Sequence, residues 1–240
     1  MRNRFNIAVT CRSLIFRSGK AGWQVAATVV VSVLVTAAVQ SRPSKPRSGQ
    51  NAGEFSYYML VLSYAPDFCN EPGGNKDPRE CGDGRHIGFV VHGLWPQSDT
   101  GRGPENCGAA RPISQDIIRA TLSYIPTASL IQHEWKAHGA CSGLDAASYF
   151  ALLRRARDSV TVPDELNQPT HQVQFSQHDI QAKMASANPS FKPNAFRVSC
   201  YHDDNPQEIR ICLNKDLSPR ACTASAGQCS ASTITLQQVH

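Results

Sequence analysis

Two stretches of nearly continuous apolar side chains stand out in the first half of the chain. Residues 55–64 read FSYYMLVLSY and residues 87–94 read IGFVVHGL. Aromatic and β-branched side chains in runs of this length are typical of buried strands. We therefore predict a central strand from Phe55 to Tyr64 that ends at the Ala65-Pro66 turn, and a second strand from Ile87 to Leu94. Between them, Asp67 to Arg85 is rich in Gly and Pro and is predicted to be a loop.

The middle of the chain shows helical periodicity, and a capping residue precedes each periodic segment. The predicted helices run from Ser114 to about Tyr124, from Thr127 to Gly139, onward from Asp145, and from the capping box Ser176-x-x-Asp179 to about Ala187. In the third helix the apolar stripe is predicted to pack in the core. Its three arginines, Arg154, Arg155 and Arg157, are predicted to face water.

The last part of the chain returns to a strand pattern after a polar loop, Pro163 to Phe175. Phe196 to Tyr201 and Glu208 to Leu213 flank a turn with the sequence HDDNP, so we predict a hairpin. Ser232 to Leu236 is predicted to be the final strand.

The N-terminal part of the chain has a different composition. Basic residues without any acid are followed by the apolar run Val25 to Val39, which predicts a secretory signal peptide over residues 1–40 with cleavage after Ala37 or Ala38. An uncleaved membrane anchor is the alternative, but the run is shorter than the ~20 residues that a spanning helix needs. Residues 41–54 are rich in Pro, Ser and Gly and predict a flexible tether. The folded domain should then occupy residues 55–240.

The charge of the chain changes when this leader is set aside. Of 24 Lys and Arg residues, five lie in residues 1–40, so that 19 remain against 19 Asp and Glu. The rest of the chain is therefore nearly neutral, and its overall charge does not indicate binding to nucleic acid. Affinity for a polyanion would have to come from a local patch, and no Lys/Arg-rich run follows the leader.

The cysteines indicate the redox compartment. Of nine cysteines, only Cys11 lies in the leader, and eight remain. An even number behind a signal peptide predicts disulfides in an oxidising compartment, although eight cysteines allow 105 pairings. A zinc site is the other common use of cysteine, but the chain has no C-x-x-C pair.

Leu130 to Cys141, which reads LIQHEWKAHGAC, has the highest density of reactive side chains. Glu134 and His138 are four residues apart, so on a helix they would project from one face within reach of each other. An acid beside an imidazole can transfer protons. The alternative is an ordinary polar pair on a solvated helix face.

A second imidazole, His92, closes the strand that begins at Ile87, in the sequence HGLWPQ. Gly93 removes a side chain beside it and Pro96 restrains the backbone beyond Trp95. These features suit an imidazole and an indole that are held rigidly at a cleft. The alternative is that His92 is a hydrogen-bonded core residue.

The motifs H-G-L-W-P and H-E-W-x-x-H-G-x-C together closely resemble the two active-site segments of the ribonuclease T2 family of secreted endoribonucleases. The resemblance extends to the order of the surrounding elements and covers Tyr57 to Ile234. It implies an α+β fold, with a central, mostly antiparallel sheet that is flanked by helices and stapled by disulfides. The implied disulfides are Cys69–Cys81, Cys107–Cys141, Cys200–Cys229 and Cys212–Cys222.

The resemblance also implies a chemistry, namely cleavage of single-stranded RNA without a metal ion or cofactor. The ribose 2′-hydroxyl attacks the adjacent phosphorus and leaves a 2′,3′-cyclic phosphate, which can then be hydrolysed. His138 matches the general base of the family and His92 matches its general acid. Glu134 matches the carboxyl group that assists at the phosphorane, and we expect it also to orient His138.

Three further residues match substrate-binding positions of the family. His133 matches a phosphate contact, and Trp95 matches an indole that stacks on a base, with core packing as the alternative. Gln97 stands where several members carry Asp or Asn for base contacts. We expect a secreted or periplasmic monomer that has no membrane contact beyond the leader.

The chain departs from the family pattern at the position before the second catalytic histidine. The family usually has Lys there, whereas this chain has Ala137, and Lys136 lies one place earlier. On a helix Lys136 would point about 200° away from Glu134. Loss of one such donor typically costs about 10²–10³ in rate. Ser63 and Tyr64 also replace the Gln-Trp of many members, which leaves the base preference open.

Two alternatives to a ribonuclease follow from the same residues. A zinc protease would use His133 and Glu134 with a later histidine, but His133 and His138 lie about 140° apart on a helix and cannot share one metal ion. A non-catalytic RNA-binding or defence protein of the same fold is supported by Ala137 alone.

Overall fold

A computed structural model of the protein describes residues 52–70, 77–82, 84–108, 110–200 and 206–239. The expected signal peptide and residues 41–51 of the expected tether lie outside these ranges. The last tether residues, 52–54, are described, and the amide of Gly53 donates to the carbonyl oxygen of Cys141 at 2.9 Å. The expectation of a flexible tether up to residue 54 is therefore wrong at its end, because the folded part already includes Gly53.

The described part of the chain contains six strands, which form two separate sheets. They are β1 (Tyr57–Tyr64), β2 (Phe89–Gln97), β3 (Val173–Phe175), β4 (Phe196–Cys200), β5 (Pro206–Leu213) and β6 (Ile234–Leu236). Four of them form an antiparallel sheet in the order β2-β1-β5-β4, so the predicted central strand β1 has a neighbour on each side. The predicted hairpin is β4 and β5, and its connection, residues 201–205, lies outside the described residues. β3 and β6 form a separate antiparallel pair.

Two short helices lie between β1 and β2, and the other helices lie between β2 and β4. The described helices are α1 (Ala65–Asn70), α2 (Pro78–Cys81), α3 (Gln115–Thr121), α4 (Ala128–Ala137), α5 (Ala146–Asp158), α6 (Asp164–Asn167) and α7 (Gln177–Ala187). All four predicted N-caps are confirmed, because Ser114, Thr127, Asp145 and Ser176 each accept a hydrogen bond from the backbone N–H three residues later. Within the described ranges, no helix combines the length and the apolarity needed to cross a bilayer.

The predicted loops contain short elements that the sequence pattern does not indicate. Pro66 does not end β1 in a turn, because it lies in the first turn of α1, where a helix tolerates proline. α2 follows in the same predicted loop. The loop predicted from Pro163 contains α6 and β3, and β3 exists as a strand because it pairs with β6.

Alternate residues of the central strands divide the interior into two clusters. Tyr58, Leu60 and Leu62 belong to the large core that the helices cover, whereas Tyr57 and Met59 belong to a smaller cluster on the other face of β1. This is the period of two that a pleated strand imposes. The indole of Trp95 packs against the smaller cluster, so the residues of interest at the end of β2 lie on that face.

All four implied disulfides are confirmed: Cys69–Cys81, Cys107–Cys141, Cys200–Cys229 and Cys212–Cys222. Cys107–Cys141 links the turn after α4 to the loop between β2 and α3. Cys200–Cys229 and Cys212–Cys222 link the β4–β5 hairpin to the chain that follows it.

Candidate active site

A β-bulge in β2 sets the direction of His92. Val61 pairs with Gly93 and Leu62 pairs with Val91, so His92 is an extra residue without a partner on β1. Regular alternation would place His92 and Gly93 on opposite faces of the sheet, whereas the bulge turns both toward the same face. The strand continues to Gln97, so the prediction that His92 closes the strand is wrong. The bulge brings His92 to the face that carries Trp95.

The two ring nitrogens of His92 have different surroundings. Nδ1 lies 2.9 Å from Oε1 of Glu208 and 3.1 Å from the hydroxyl of Ser63, while Nε2 lies 3.5 Å from Oε1 of Glu134. Nδ1–H donates to the Glu208 carboxylate, which leaves Nε2 to face the site. Burial opposes protonation of the ring, but the hydrogen bond to Glu208 and the charges of Glu134 and Glu208 outweigh it and raise the pKa of His92.

Glu208 is held in turn by Arg210. The Nε and Nη2 groups of Arg210 donate to Oε2 of Glu208 at 2.8 and 2.7 Å, and Nη1 donates to the carbonyl oxygen of Ala226. Burial would raise the pKa of Glu208, but the hydrogen bonds and charges of His92 and Arg210 lower it overall, so the carboxylate is ionised. The guanidinium carbon of Arg210 also lies 5.7 Å from the centre of the Trp95 ring.

Glu208 and Arg210 are site residues that were not predicted from the sequence. Their spacing in the sequence could have indicated them, because Glu208, Arg210 and Cys212 alternate with isoleucines along β5. Two charged side chains on one face of an otherwise apolar strand indicate a polar site on that face.

Glu134 reaches the same site from α4. Its side chain is fully buried, and Oε2 accepts a hydrogen bond from Nε1 of Trp95 at 2.7 Å, whereas Oε1 has no hydrogen-bond partner. Burial raises the pKa of Glu134 to about 7, although His92 and the Trp95 N–H act in the opposite direction. A Cβ at Gly93 would lie 1.9 Å from Oε2, so only glycine at that position leaves room for the carboxylate.

The predicted pairing of Glu134 with His138 on one helix face is wrong. α4 ends at Ala137, and His138 has the non-helical backbone angles φ −125° and ψ −48°. The rule that residues four apart share a helix face does not apply beyond the last helical residue. The side chain of Glu134 therefore contacts His92 and Trp95, and the ring of His138 stacks on Trp95 with 4.8 Å between ring centres.

His138 is held as a neutral imidazole. The residue is 8% exposed, and its Nδ1 atom is buried without a hydrogen-bond partner. Burial, followed by the charges of His92 and His133, lowers the pKa of His138 to about 3. The two imidazoles of the site thus have pKa values that are shifted in opposite directions.

Trp95 lies at the centre of this arrangement. The His92 ring meets it edge-on at 5.2 Å, the His138 ring stacks on it, and its N–H donates to Glu134. These contacts favour the packing interpretation of Trp95, in which the indole positions the two imidazoles, over a free platform for a base.

The other predicted substrate-binding residues lie at the margin of the site. His133 is exposed on α4, close enough for its charge to lower the pKa of His138. Gln97 is half-buried at the end of β2, where it pairs with Tyr57. Lys136 is exposed and Ala137 is buried, so α4 directs its lysine away from the site, as predicted.

Nothing in the described ranges forms a group of three or more His, Cys, Asp or Glu residues that could hold a metal ion. The zinc-protease alternative needs His133 and His138 to share one ion. Instead, the first is exposed and the second is packed against an indole.

Comparison with known proteins identifies the family of this site. A family model, described as the ribonuclease T2 family, matches residues 55–222, which is more than half of the chain. The chain belongs to the ribonuclease T2 family.

A probable ribonuclease of Haemophilus influenzae is 31% identical over 187 residues, which cover 72% of this chain and 64% of that protein. A ribonuclease of Aeromonas hydrophila is 35% identical over 116 residues, which cover 48% of this chain and 51% of that protein. The chain thus spans between about half and two thirds of the length of these relatives.

Solved structures of T2 ribonuclease relatives share the fold. An RNase-related protein from Calystegia sepium aligns with a TM-score of 0.61 at 22% identity, over 78% of this chain and 99% of that chain. A variant of RNase MC1 in complex with 5′-UMP aligns with a TM-score of 0.60 at 20% identity, over 75% of this chain and 98% of that chain. The predicted α+β fold, with its antiparallel sheet, flanking helices and disulfides, is confirmed.

Proposed function

We propose that the protein is a secreted, monomeric endoribonuclease that cleaves single-stranded RNA by transphosphorylation, without a metal ion or cofactor. The products are 2′,3′-cyclic phosphate and 5′-hydroxyl ends, and the cyclic ester is then hydrolysed to a 3′-phosphate. One observation carries this proposal, namely that two imidazoles flank one indole and have pKa values shifted in opposite directions. Opposite shifts within one site are how proteins separate a general acid from a general base.

His138 is the general base in this scheme. Its lowered pKa keeps the ring neutral at neutral pH, so a lone pair is available to accept the proton of the ribose 2′-hydroxyl. The unpaired Nδ1 shows that hydrogen bonds within the protein do not use the full capacity of the ring.

His92 is the general acid. Its raised pKa keeps the ring protonated, and Glu208 occupies Nδ1, so the proton that passes to the leaving 5′-oxygen comes from Nε2. After cleavage His92 is neutral and His138 is protonated. The roles reverse when water attacks the cyclic phosphate, and both groups return to their starting states.

Glu134 assists at the phosphorane. With its pKa near 7, its carboxyl group is protonated in part of the molecules at neutral pH, and a protonated carboxyl can donate a hydrogen bond to a phosphoryl oxygen. The free Oε1 atom next to Nε2 of His92 is the position for that contact. Burial thus reduces the negative charge that would repel the substrate.

The family and the disulfides support the substrate class and the compartment. The structurally similar RNase MC1 was solved with 5′-UMP, which supports a nucleotide ligand for this cleft. Four disulfides fit an oxidising environment, and the leader in residues 1–40 provides a route to the periplasm or the cell exterior.

The test is cleavage of a single-stranded RNA by purified protein in EDTA, with analysis of the product ends. We expect cyclic phosphate ends, and His92→Ala and His138→Ala should each lower the rate by about 10²–10⁴. His178→Ala, at an exposed position on α7, is the matched control and should keep full activity. Loss of cleavage on chelation, or full activity of His92→Ala, would contradict the proposal. RNA binding without any cleavage would favour the non-catalytic alternative.

A further inference from the structure

A groove with a volume of about 730 Å³ runs beside the first half of the edge strand β2. Its lining includes the apolar side chains of Leu62, Phe89 and Val91 from β1 and β2. The lining also includes residues 122–126, which link α3 to α4, and residues 154, 157, 158 and 160–162 at the end of α5 and just after it. None of His92, Trp95, Glu134 and His138 lines it, so the groove is separate from the catalytic site.

The groove collects positive charge that is dispersed in the sequence. Arg79 and Arg85 reach it from the segment around α2, and Arg154 and Arg157 reach it from α5. Asp158 contributes the lining carboxylate, so the lining carries four guanidinium groups against one acid. The chain after residue 40 is nearly neutral and has no basic run, so this patch is formed by folding alone.

The guanidinium groups keep donors free for a ligand. Arg154 and Arg157 share Asp158 at 3.7 and 3.6 Å, and their side chains are 62% and 54% exposed. Arg79 pairs with Asp77 at 3.3 Å and is also exposed. Exposed ion pairs at such distances contribute little to the stability of the protein, so an incoming anion can compete with these carboxylates for the arginines.

We propose that this groove binds phosphate groups of the RNA chain next to the scissile bond. The lining comes close to the catalytic site at α2, because Arg79 directly precedes Glu80, whose carboxyl group lies near enough to His92 for their charges to interact. The planar guanidinium group of arginine can donate two parallel hydrogen bonds to phosphate oxygens, and this contact does not depend on the identity of the base. The inference rests on the proposed ribonuclease function and extends it, because it makes polymeric RNA a better substrate than a dinucleotide.

The test compares two double variants that remove the same number of charges. Arg154→Gln with Arg157→Gln alters the groove, and Arg119→Gln with Arg155→Gln is the control at exposed positions outside its lining. If four phosphate contacts become two, the rise in KM for polyuridylate between 50 and 200 mM salt should fall from about 50-fold to about 7-fold. The control variant should keep the salt dependence of the wild type. Turnover of the dinucleoside phosphate UpU should be the same in all three proteins.

Separate readouts distinguish failure of this inference from failure of the proposed function. If the wild type does not cleave UpU, the catalytic proposal fails, and binding of a fluorescent 2′-O-methyl oligouridylate to the same variants still tests the groove. The groove proposal is overturned if both double variants weaken binding equally, or if neither changes its salt dependence. A loss of UpU turnover in the groove variant alone would also overturn it, because the arginines would then act on the reacting centre.

Discussion

Replacement of Glu208 by Gln tests whether this buried carboxylate positions the general acid. Glu208 accepts hydrogen bonds on both oxygens, from His92 on one side and from Arg210 on the other. A glutamine amide has one acceptor oxygen and one donor nitrogen, so it cannot accept from both neighbours. In Glu208→Gln, either His92 loses the partner that fixes its tautomer or Arg210 faces another donor.

The size of the effect follows from the type of bond that is lost. A hydrogen bond to a charged group contributes about 1.5–3 kcal/mol, and 1.36 kcal/mol corresponds to a tenfold change in rate. We therefore expect kcat/KM at the pH optimum to fall by about 10- to 150-fold. The carboxylate also raises the pKa of His92, so without it the alkaline limb of the pH profile should move to lower pH.

The assay is the pH dependence of kcat/KM for a dinucleoside phosphate, with thermal unfolding as a check on the fold. The double variant Glu208→Gln with Arg210→Met separates geometry from charge, because the amide oxygen is then free to accept from His92. We expect part of the rate to return while the alkaline limb stays at lower pH. A single variant that loses activity without a shift of that limb, or that keeps the wild-type rate, would refute the positioning role.

Three further predictions concern the same site. The pKa of about 3 for His138 means that the unfolded chain binds a proton that the folded protein does not, so stability should fall as pH decreases from about 6.5. The free energy of unfolding, measured with urea, should fall between pH 7 and pH 4 by about 3 kcal/mol less in His138→Phe than in the wild type. Equal decreases in the two proteins would contradict the lowered pKa of His138. Gly93→Ala places a Cβ against the buried carboxylate and should lower kcat by about 10²-fold, whereas Gly101→Ala, with open space around it, should have no effect. The transposition Lys136→Ala with Ala137→Lys should raise kcat by about 10²-fold, and an unchanged kcat would show that the displaced lysine does not limit the rate.

Local chemistry explains which elements could be predicted from the sequence. The helix starts at Ser114, Thr127 and Asp145 depend on hydrogen bonds within one turn, and each lies where the pattern placed it. The strand β3 has only three residues and exists through its pairing with β6, which begins about sixty residues later. No local signal contains that pairing, so the segment resembled a loop.

The partner of His92 shows the same limit at the site. The motif around His92 identified the imidazole, but its hydrogen-bond acceptor lies 116 residues away on β5, two strands across the sheet. β1 lies between them, and there Ser63 pairs with Glu208 while its hydroxyl lies 3.1 Å from the imidazole. A small side chain at this position lets the His92 ring extend over β1 to the carboxylate. Ser63, which was predicted only to affect base preference, therefore makes room for the contact that holds the general acid.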